Sequence, residues 1–235
     1  MAEVFCVFGD SIANGMGTRG QSYGRLVATQ LGLEFRDFSG TARPISESLS
    51  NLRKSPLQPT IAVVAHGVTE AIPRPTPQMV RLVPDRWRQL GWMDPRPYYS
   101  AALRRRILQK IDSSARWRVK NLLIRIGGSY SVMPYAEYAT TLNELVTELQ
   151  DRSTRVIVVG PPDISERYFP GAAAAERLYE SAAQALDVET LSLSGVLDLR
   201  SDYFGDQFHP NVQGHEKIAS SLVSLLNDGP VAVPE

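Results

Sequence analysis

The sequence predicts an α/β fold in which helices cover both faces of a central parallel sheet of about five strands. Short apolar segments rich in β-branched residues alternate with longer segments whose apolar residues recur at helical spacing. Hairpin signals between the apolar segments are few, so neighbouring strands are expected to run parallel. With 235 residues, 43% of them hydrophobic, the chain can bury a proper core. We therefore expect one domain over residues 1–235.

The first half of the chain alternates predicted strands and helices, in order. The first strand is the apolar run that begins at Val4 and ends at Gly9-Asp10-Ser11. The apolar spacing from Tyr23 to Leu31 predicts a helix, which Gly32 ends. A second strand over 33–38, a helix over 45–54 and a third strand over 60–65 follow.

A segment rich in proline and arginine, residues 72–98, interrupts this alternation. Its prolines exclude a long regular helix. It is either a lid or pocket wall, whose Arg74 and Trp87 would contact the substrate, or an irregular surface insertion. An arginine-lined wall could hold a carboxylate or phosphate group of the substrate.

The second half predicts helices more often than strands. One helix is expected from Tyr99 to Ile111, and another from an N-cap at Ser113 or Ser114 to Gly127. For residues 121–126 a strand is the alternative. The remaining predicted elements are an amphipathic helix over 138–149, a strand over 155–160, a helix over 172–186, a last strand over 188–193 and a helix after Pro210. His215 is expected on the surface of that last helix.

Composition excludes several classes of partner and cofactor. The formal charge is zero and the isoelectric point is near 6.9, so nothing favours nucleic acid or an acidic membrane surface. The single cysteine, Cys6, lies inside the first strand and is expected to be a buried hydrophobic residue. The three histidines lack metal-ligand spacing, and no cofactor-binding glycine motif follows a strand, so we expect no metal and no cofactor. Without a recognisable signal peptide or an apolar run of transmembrane length, the protein is expected to be cytoplasmic.

Ser11, Asp206 and His209 are the candidate catalytic residues. A serine at the end of a buried strand lies at the sheet edge where open parallel sheets form ligand crevices. Its hydroxyl needs a base, and Asp206, three residues before His209, can orient that imidazole from the same turn.

These motifs resemble the SGNH (GDSL-type) hydrolase family, in the right order along the whole chain. The resemblance implies a flavodoxin-like three-layer α/β/α fold and an oxyanion hole formed by Ser11, Gly40 and Thr69. The family pattern after the third strand is glycine, any residue, asparagine, aspartate. Here Gly67 is kept, but Thr69 and Glu70 stand in the last two positions.

The resemblance implies a serine hydrolase that acts on a small-molecule acyl ester or thioester through an acyl-enzyme. An acyltransferase with the same triad and a non-catalytic binding protein of the same fold are the alternatives, and the oligomeric state is open. Residues expected near the pocket, besides Arg74 and Trp87, are Asp10, His66, Gly67 and Glu70. For His66, a hydrogen-bonded histidine at a strand end is favoured over a second catalytic base.

Overall fold

The computed structural model describes residues 3–98, 100–153 and 155–228, and is built around a five-stranded parallel sheet. The strand order is β2-β1-β3-β6-β7. The strands of this sheet are β1 (Val4–Gly9), β2 (Glu34–Asp37), β3 (Ile61–Ala65), β6 (Arg155–Val159) and β7 (Glu189–Leu191). This is the flavodoxin-like order, in which β2 pairs with one edge of β1 and β3 pairs with the other edge. The predicted fold class is confirmed.

Helices pack on both faces of this sheet. Those that form the two cores with the sheet are α1 (Tyr23–Leu31), α2 (Ile45–Lys54), α6 (Tyr135–Gln150), α7 (Ala172–Gln184) and α8 (Val212–Asn227). The other helices are α3 (Val68–Ala71), α4 (Pro77–Val80) and α5 (Leu103–Gly127), and α4 packs on α5 beside the sheet. Alternate residues of each strand enter opposite cores, as the period of two requires. In β1, for example, Cys6 and Phe8 pack with α2, α6 and α7, whereas Phe5 and Val7 pack with α1 and α8. Cys6 is fully buried, as predicted.

Residues 72–98 form short elements only, as their prolines predicted. Arg74–Pro75 is strand β4, which pairs antiparallel with β5 (Ser129–Tyr130) just after α5. Helix α4 and a single 3₁₀ turn at Asp85–Trp87 follow. The segment is therefore fastened to the C-terminal end of α5.

Helix α5 is continuous over residues 103–127, so the predicted break near Ser113 is wrong. The Ser113 side chain is buried and accepts a hydrogen bond from the Arg96 backbone N–H (3.0 Å) instead of capping a new helix. Over 121–126 the helical prediction is confirmed and the strand alternative is wrong. Tyr99, the predicted start of the first of these two helices, lies outside the described residues.

His215 is buried, although a place on the surface of α8 was expected. Only 1% of its surface is exposed, and its Nδ1 accepts a hydrogen bond from the Tyr23 backbone N–H (3.2 Å). Its ring stacks on the Tyr23 ring at 5.7 Å between centroids. Burial lowers the pKa of His215 to about 4, and the nearby His209 adds to this effect. His215 therefore joins α8 to α1 as a neutral side chain.

No helix in the described part of the chain is long and apolar enough to cross a membrane.

Candidate active site

Ser11 occupies a tight turn directly after β1. Asn14 N–H bonds the Asp10 carbonyl and Met16 N–H bonds the Ser11 carbonyl, which folds the chain back at once. A side chain at Gly9 would not fit, since an added Cβ would lie 2.5 Å from Ala13 Cβ and 2.7 Å from the Ala65 carbonyl oxygen. Glycine therefore lets the turn pack closely against the end of β3. Ser11 is held there at 6% exposure.

His209 is positioned by a turn that Asp206 organises. One carboxylate oxygen of Asp206 accepts the backbone N–H groups of Phe208 and His209, both at 3.1 Å. The other oxygen lies 2.8 Å from His209 Nδ1. The Phe208 ring meets the imidazole edge-on, with ring centroids 4.6 Å apart. The imidazole is thereby fixed both by hydrogen bonds and by packing.

Ser11, His209 and Asp206 form one hydrogen-bonded chain. His209 Nε2 lies 3.1 Å from Ser11 Oγ, so the two ring nitrogens contact the aspartate and the serine respectively. All three side chains are buried. In this arrangement the Nδ1 proton is held by Asp206 and the Nε2 lone pair faces the hydroxyl, which is the geometry needed to take the serine proton.

A cavity of about 350 Å³ opens over Ser11 and His209. Its wall comes from the serine turn, the loop after β2, the end of β3 and the segment 72–98. The residues that line it are Ser11, Met16, Thr41, Ala42, Thr69, Arg74, Gly91, Asp94, Pro95, Arg96, Phe208 and His209. The segment 72–98 therefore reaches the candidate active site.

Part of that wall is a buried ion cluster. Asp94 lies 2.5 Å from Arg74 and 3.3 Å from Lys120 of α5, and each of the three residues is at most 7% exposed. Burial alone would raise the pKa of Asp94, but Arg74 and Lys120 outweigh it and hold the pKa at about 2. Burial lowers the pKa of Lys120 to about 8, against the opposing effect of Asp94. The Lys120 ammonium also sits 3.4 Å from the centroid of the Phe169 ring.

Arg96 is the cation of this wall that has no ion pair among the described residues. It is half-buried, lines the cavity and lies over the Trp92 ring at 5.0 Å. Burial lowers its pKa, and the neighbouring Arg116 lowers it further. An anionic group bound in the cavity would relieve both effects.

Two predicted oxyanion-hole donors are engaged elsewhere in this structure. The Gly40 N–H donates to the Gly9 carbonyl at 3.1 Å, and the Thr69 hydroxyl donates to Asp10 at 2.9 Å. Asp10 also accepts the Ile12 N–H at 2.9 Å, and burial raises its pKa. Asp10 thus supports the serine turn, and in this structure neither the Gly40 N–H nor the Thr69 hydroxyl is free to donate to an oxyanion. Gly40 is not among the residues that line the cavity.

Of the expected pocket residues, Arg74 lines this cavity, whereas Asp10, His66, Gly67, Glu70 and Trp87 do not. His66 is a buried, hydrogen-bonded residue at the end of β3, with its Nε2 2.9 Å from Ser48 Oγ, as favoured. Burial lowers its pKa to about 3, with a contribution from Arg43. Glu70 accepts the backbone N–H groups of Ile45 and Gly67 and is structural.

Trp87 packs instead with the small apolar cluster between the segment 72–98 and α5. Conversely, Asp94 and Arg96 were not singled out from the sequence. Asp94 could have been noticed as an acidic residue within an arginine-rich segment, a pattern that suggests an ion pair inside the segment.

The α/β fold, with Ser11, His209 and Asp206 in hydrogen-bond contact at the carboxyl edge of the sheet, is typical of hydrolytic enzymes. The chain belongs to the GDSL-like lipase/acylhydrolase family, whose model matches residues 7–217.

Solved structures of similar fold span the whole chain at low identity. A lipase/acylhydrolase from Enterococcus faecalis has a TM-score of 0.61 at 13% identity, with 100% of both chains covered. TesA has a TM-score of 0.59 at 14% identity, covering 96% of this chain and 99% of its own. A variant of Axe2, an acetyl xylan esterase from Geobacillus stearothermophilus, has a TM-score of 0.55 at 16% identity, covering 98% and 97%. A search of curated proteins found no match.

Proposed function

We propose that the protein hydrolyses acyl esters through an acyl-enzyme on Ser11. The observation that carries this proposal is the continuous hydrogen-bonded chain from Ser11 Oγ through His209 to Asp206, at 3.1 and 2.8 Å. A structural turn serine has no need of an oriented imidazole, whereas a nucleophile does.

The reaction follows from this geometry. His209 Nε2 takes the proton of Ser11 as Oγ bonds to the substrate carbonyl carbon, and the carbonyl oxygen becomes an oxyanion. His209 then gives that proton to the leaving alcohol or thiol oxygen or sulfur as the acyl–heteroatom bond breaks. Water then repeats the cycle: His209 takes a proton from water as its oxygen bonds to the acyl carbon. The Oγ–acyl bond breaks, the acid leaves, and His209 returns the proton to Ser11 Oγ. Asp206 holds the imidazole in the required tautomer throughout.

Oxyanion binding is assigned to the backbone N–H groups of Ser11 and Thr41. Both residues line the cavity, and within the described chain neither N–H meets an acceptor. Thr41 is the second residue of a turn closed by the Arg43 N–H to the Gly40 carbonyl at 3.2 Å. Backbone N–H groups at the centre of such a turn are left free for an anion.

The cavity favours a small substrate that carries an acidic group. The loop after β2 and the segment 72–98 stand close around Ser11 and His209, which favours a compact substrate. Arg96 offers a half-buried guanidinium without an ion pair, which suits a carboxylate or phosphate on the acyl or the leaving group.

A serine-reactive fluorophosphonate probe tests the nucleophile. We expect wild type and Ser48→Ala to be labelled and Ser11→Ala to remain unlabelled and inactive on p-nitrophenyl esters. Ser48 is a matched control because its hydroxyl also contacts a buried histidine, at 2.9 Å from His66 Nε2, away from the cavity. Labelling of folded Ser11→Ala, or hydrolysis by it at the wild-type rate, would refute the proposal. Adding alcohols and amines to the same assay distinguishes hydrolysis from acyl transfer.

Thr41→Pro tests the oxyanion assignment, because proline removes the N–H and suits the second position of a turn. Loss of one oxyanion donor costs on the order of 100- to 1,000-fold in kcat. Thr41→Ala keeps the N–H and should retain activity. Equal activity of the two variants would show that this N–H does not contact the oxyanion.

A further inference from the structure

Helix α5 buries several polar side chains and exposes many large aliphatic ones. The buried positions include Ser113, Arg116 and Lys120, which follow one another at helical spacing. Large aliphatic side chains on the opposite side are 49–67% exposed: Leu103, Ile107, Leu108, Ile111, Leu122 and Ile126. Because these positions recur at spacings of four and eleven residues, they lie along one side of the helix. We call this side the outer face of α5.

The buried polar side chains of α5 all have partners inside the fold. Lys120 pairs with Asp94, Arg116 donates to the Trp92 carbonyl at 2.6 Å, and Ser113 accepts the Arg96 N–H. These contacts hold the wall of the active-site cavity. The six exposed aliphatic side chains, in contrast, make no packing contact within the described fold that would explain them. Exposing them lowers solubility, which is typical of an interaction surface.

The outer face is also strongly basic. Helix α5 contains eight arginines and lysines and one aspartate, in a chain of zero net charge. The exposed cations Arg104, Arg118 and Arg125 lie among these aliphatic positions, and Lys110 lies beside them. The exposed Arg105 and Arg106 lie on the opposite side, at the uncovered start of the helix. None of these six has an ion pair in the described part of the chain. Neutral overall composition thus conceals a concentrated local charge.

We propose that the outer face of α5 docks on an anionic lipid surface. Aliphatic side chains flanked by arginine and lysine are the composition of helices that lie in the membrane interface, where the apolar side enters the acyl boundary and the cations meet lipid phosphates. The helix is about 37 Å long at 1.5 Å per residue, so it offers an extended strip of contact. It docks flat on the surface, consistent with the lack of a helix that could cross a membrane in the described residues.

Charge and chemistry disfavour the other occupants. A symmetric dimer through this face would bring Arg104, Arg118 and Arg125 of each copy against those of the other, which is electrostatically unfavourable. Nucleic acid would satisfy the cations but would leave the aliphatic side chains without a partner. An anionic bilayer satisfies both.

Docking in this way would bring the catalytic cavity near the lipid. The inner face of α5 holds Asp94 and Arg96 of the cavity wall, and a helix is about 10 Å across. The cavity would therefore stand roughly one helix diameter above the lipid headgroups. The inference itself concerns binding and holds whether or not Ser11 is the nucleophile.

Vesicle co-sedimentation tests the proposal with the full-length protein. We expect wild type and Ser11→Ala to sediment with vesicles of phosphatidylcholine and phosphatidylserine, to stay in the supernatant with phosphatidylcholine alone, and to dissociate in high salt. Ile107→Gln/Ile111→Gln and Arg104→Gln/Arg125→Gln should each weaken partitioning at least about tenfold. The control Arg177→Gln/Leu178→Gln removes one exposed cation and one exposed leucine from α7 and should bind as wild type.

Several results would overturn the proposal. Failure of wild type to bind anionic vesicles, or equal loss in the α7 control, would do so. A wild-type dimer that becomes monomeric in Ile107→Gln/Ile111→Gln, without vesicle binding, would show a subunit interface. Binding that depends on the cations but not on the isoleucines, and that oligonucleotides abolish, would show a polyanion site. Unchanged circular dichroism and hydrolysis of a soluble ester would verify that the α5 and α7 variants fold, and circular dichroism alone would do so for Ser11→Ala.

Discussion

Replacing Asp94 by asparagine should destabilise the protein far more than replacing Lys120 by methionine. Asp94 is the one anion that contacts both buried cations, Arg74 and Lys120. Its pKa of about 2, against an ordinary 3.8, corresponds to roughly 2 kcal/mol. Leaving a partner charge buried and unpaired typically costs about 3–5 kcal/mol. We therefore expect Asp94→Asn to lose about 2–5 kcal/mol of unfolding free energy at pH 7.

The companion variant Lys120→Met removes a charge that the fold disfavours. Burial lowers the Lys120 pKa from 10.5 to about 8, so its ionised form costs about 3 kcal/mol in the folded state. Methionine fills similar space, and the lost contact with the Phe169 ring is worth about 2 kcal/mol. The two effects nearly cancel, so stability should stay within about 1 kcal/mol of wild type.

Urea unfolding followed by tryptophan fluorescence measures both variants. With an m-value of about 3 kcal/mol/M, the midpoint of Asp94→Asn should fall by roughly 1 M or more, and that of Lys120→Met should hardly move. The Asp94 contribution is present above pH 3.8 and is lost as the pH falls toward 2, so the gap between wild type and Asp94→Asn should narrow in acid. Equal midpoints for the two variants would refute the assignment of Asp94 as the compensating charge.

Three further outcomes are expected. Thr69→Val should lower the unfolding free energy by about 1–3 kcal/mol, because it leaves Asp10 a buried acceptor without its donor. The kcat of Thr69→Val should fall by less than about 100-fold, and a larger fall would indicate that Thr69 binds the oxyanion. Arg96→Gln should reduce kcat/KM for esters bearing a carboxylate by about 10- to 100-fold and leave neutral esters unchanged; Arg96→Lys should retain part of the preference. Burial raises the Glu176 pKa from 4.5 to about 8, so its contribution to stability is full below pH 4.5 and is lost as the pH rises through 8. Between pH 5 and pH 8.5, the unfolding free energy of the wild type, measured in urea, should fall by on the order of 2–4 kcal/mol. In Glu176→Gln this fall should be smaller, and an equal fall in both proteins would contradict the role given to Glu176.

The sequence predicted those features that local patterns encode. Buried strands, such as Val4–Gly9, carry their own apolar signal, and the turn that joins Asp206 to His209 is three residues long. The juxtaposition of Ser11 and His209 then follows from the carboxyl edge of a parallel sheet. Strand order and the donor geometry around Thr69 depend on contacts between distant segments, which the local pattern does not carry.

Two mistaken predictions had signals pointing the other way. His215 stands three and four residues before Ile218 and Ala219, and thus on the apolar face of its own helix, which placed it inside. Ser113 resembled an N-cap because the apolar periodicity around it is weak. In α5 the periodicity is weak because several polar side chains are buried and aliphatic ones are exposed. Apolar residues therefore do not mark the buried face of this helix.

The hydrogen bond between Ser11 and His209 joins residues 198 positions apart in sequence. Helices α1 and α8, which pack together beside it, must also meet across most of the chain. Contacts of such sequence separation carry a large loop-closure entropy and form late during folding. Nucleophilic reactivity should therefore appear at the end of refolding, after the sheet has formed. During synthesis on the ribosome the serine would stay unreactive until α8 had emerged and docked, so a half-made chain would carry no active nucleophile.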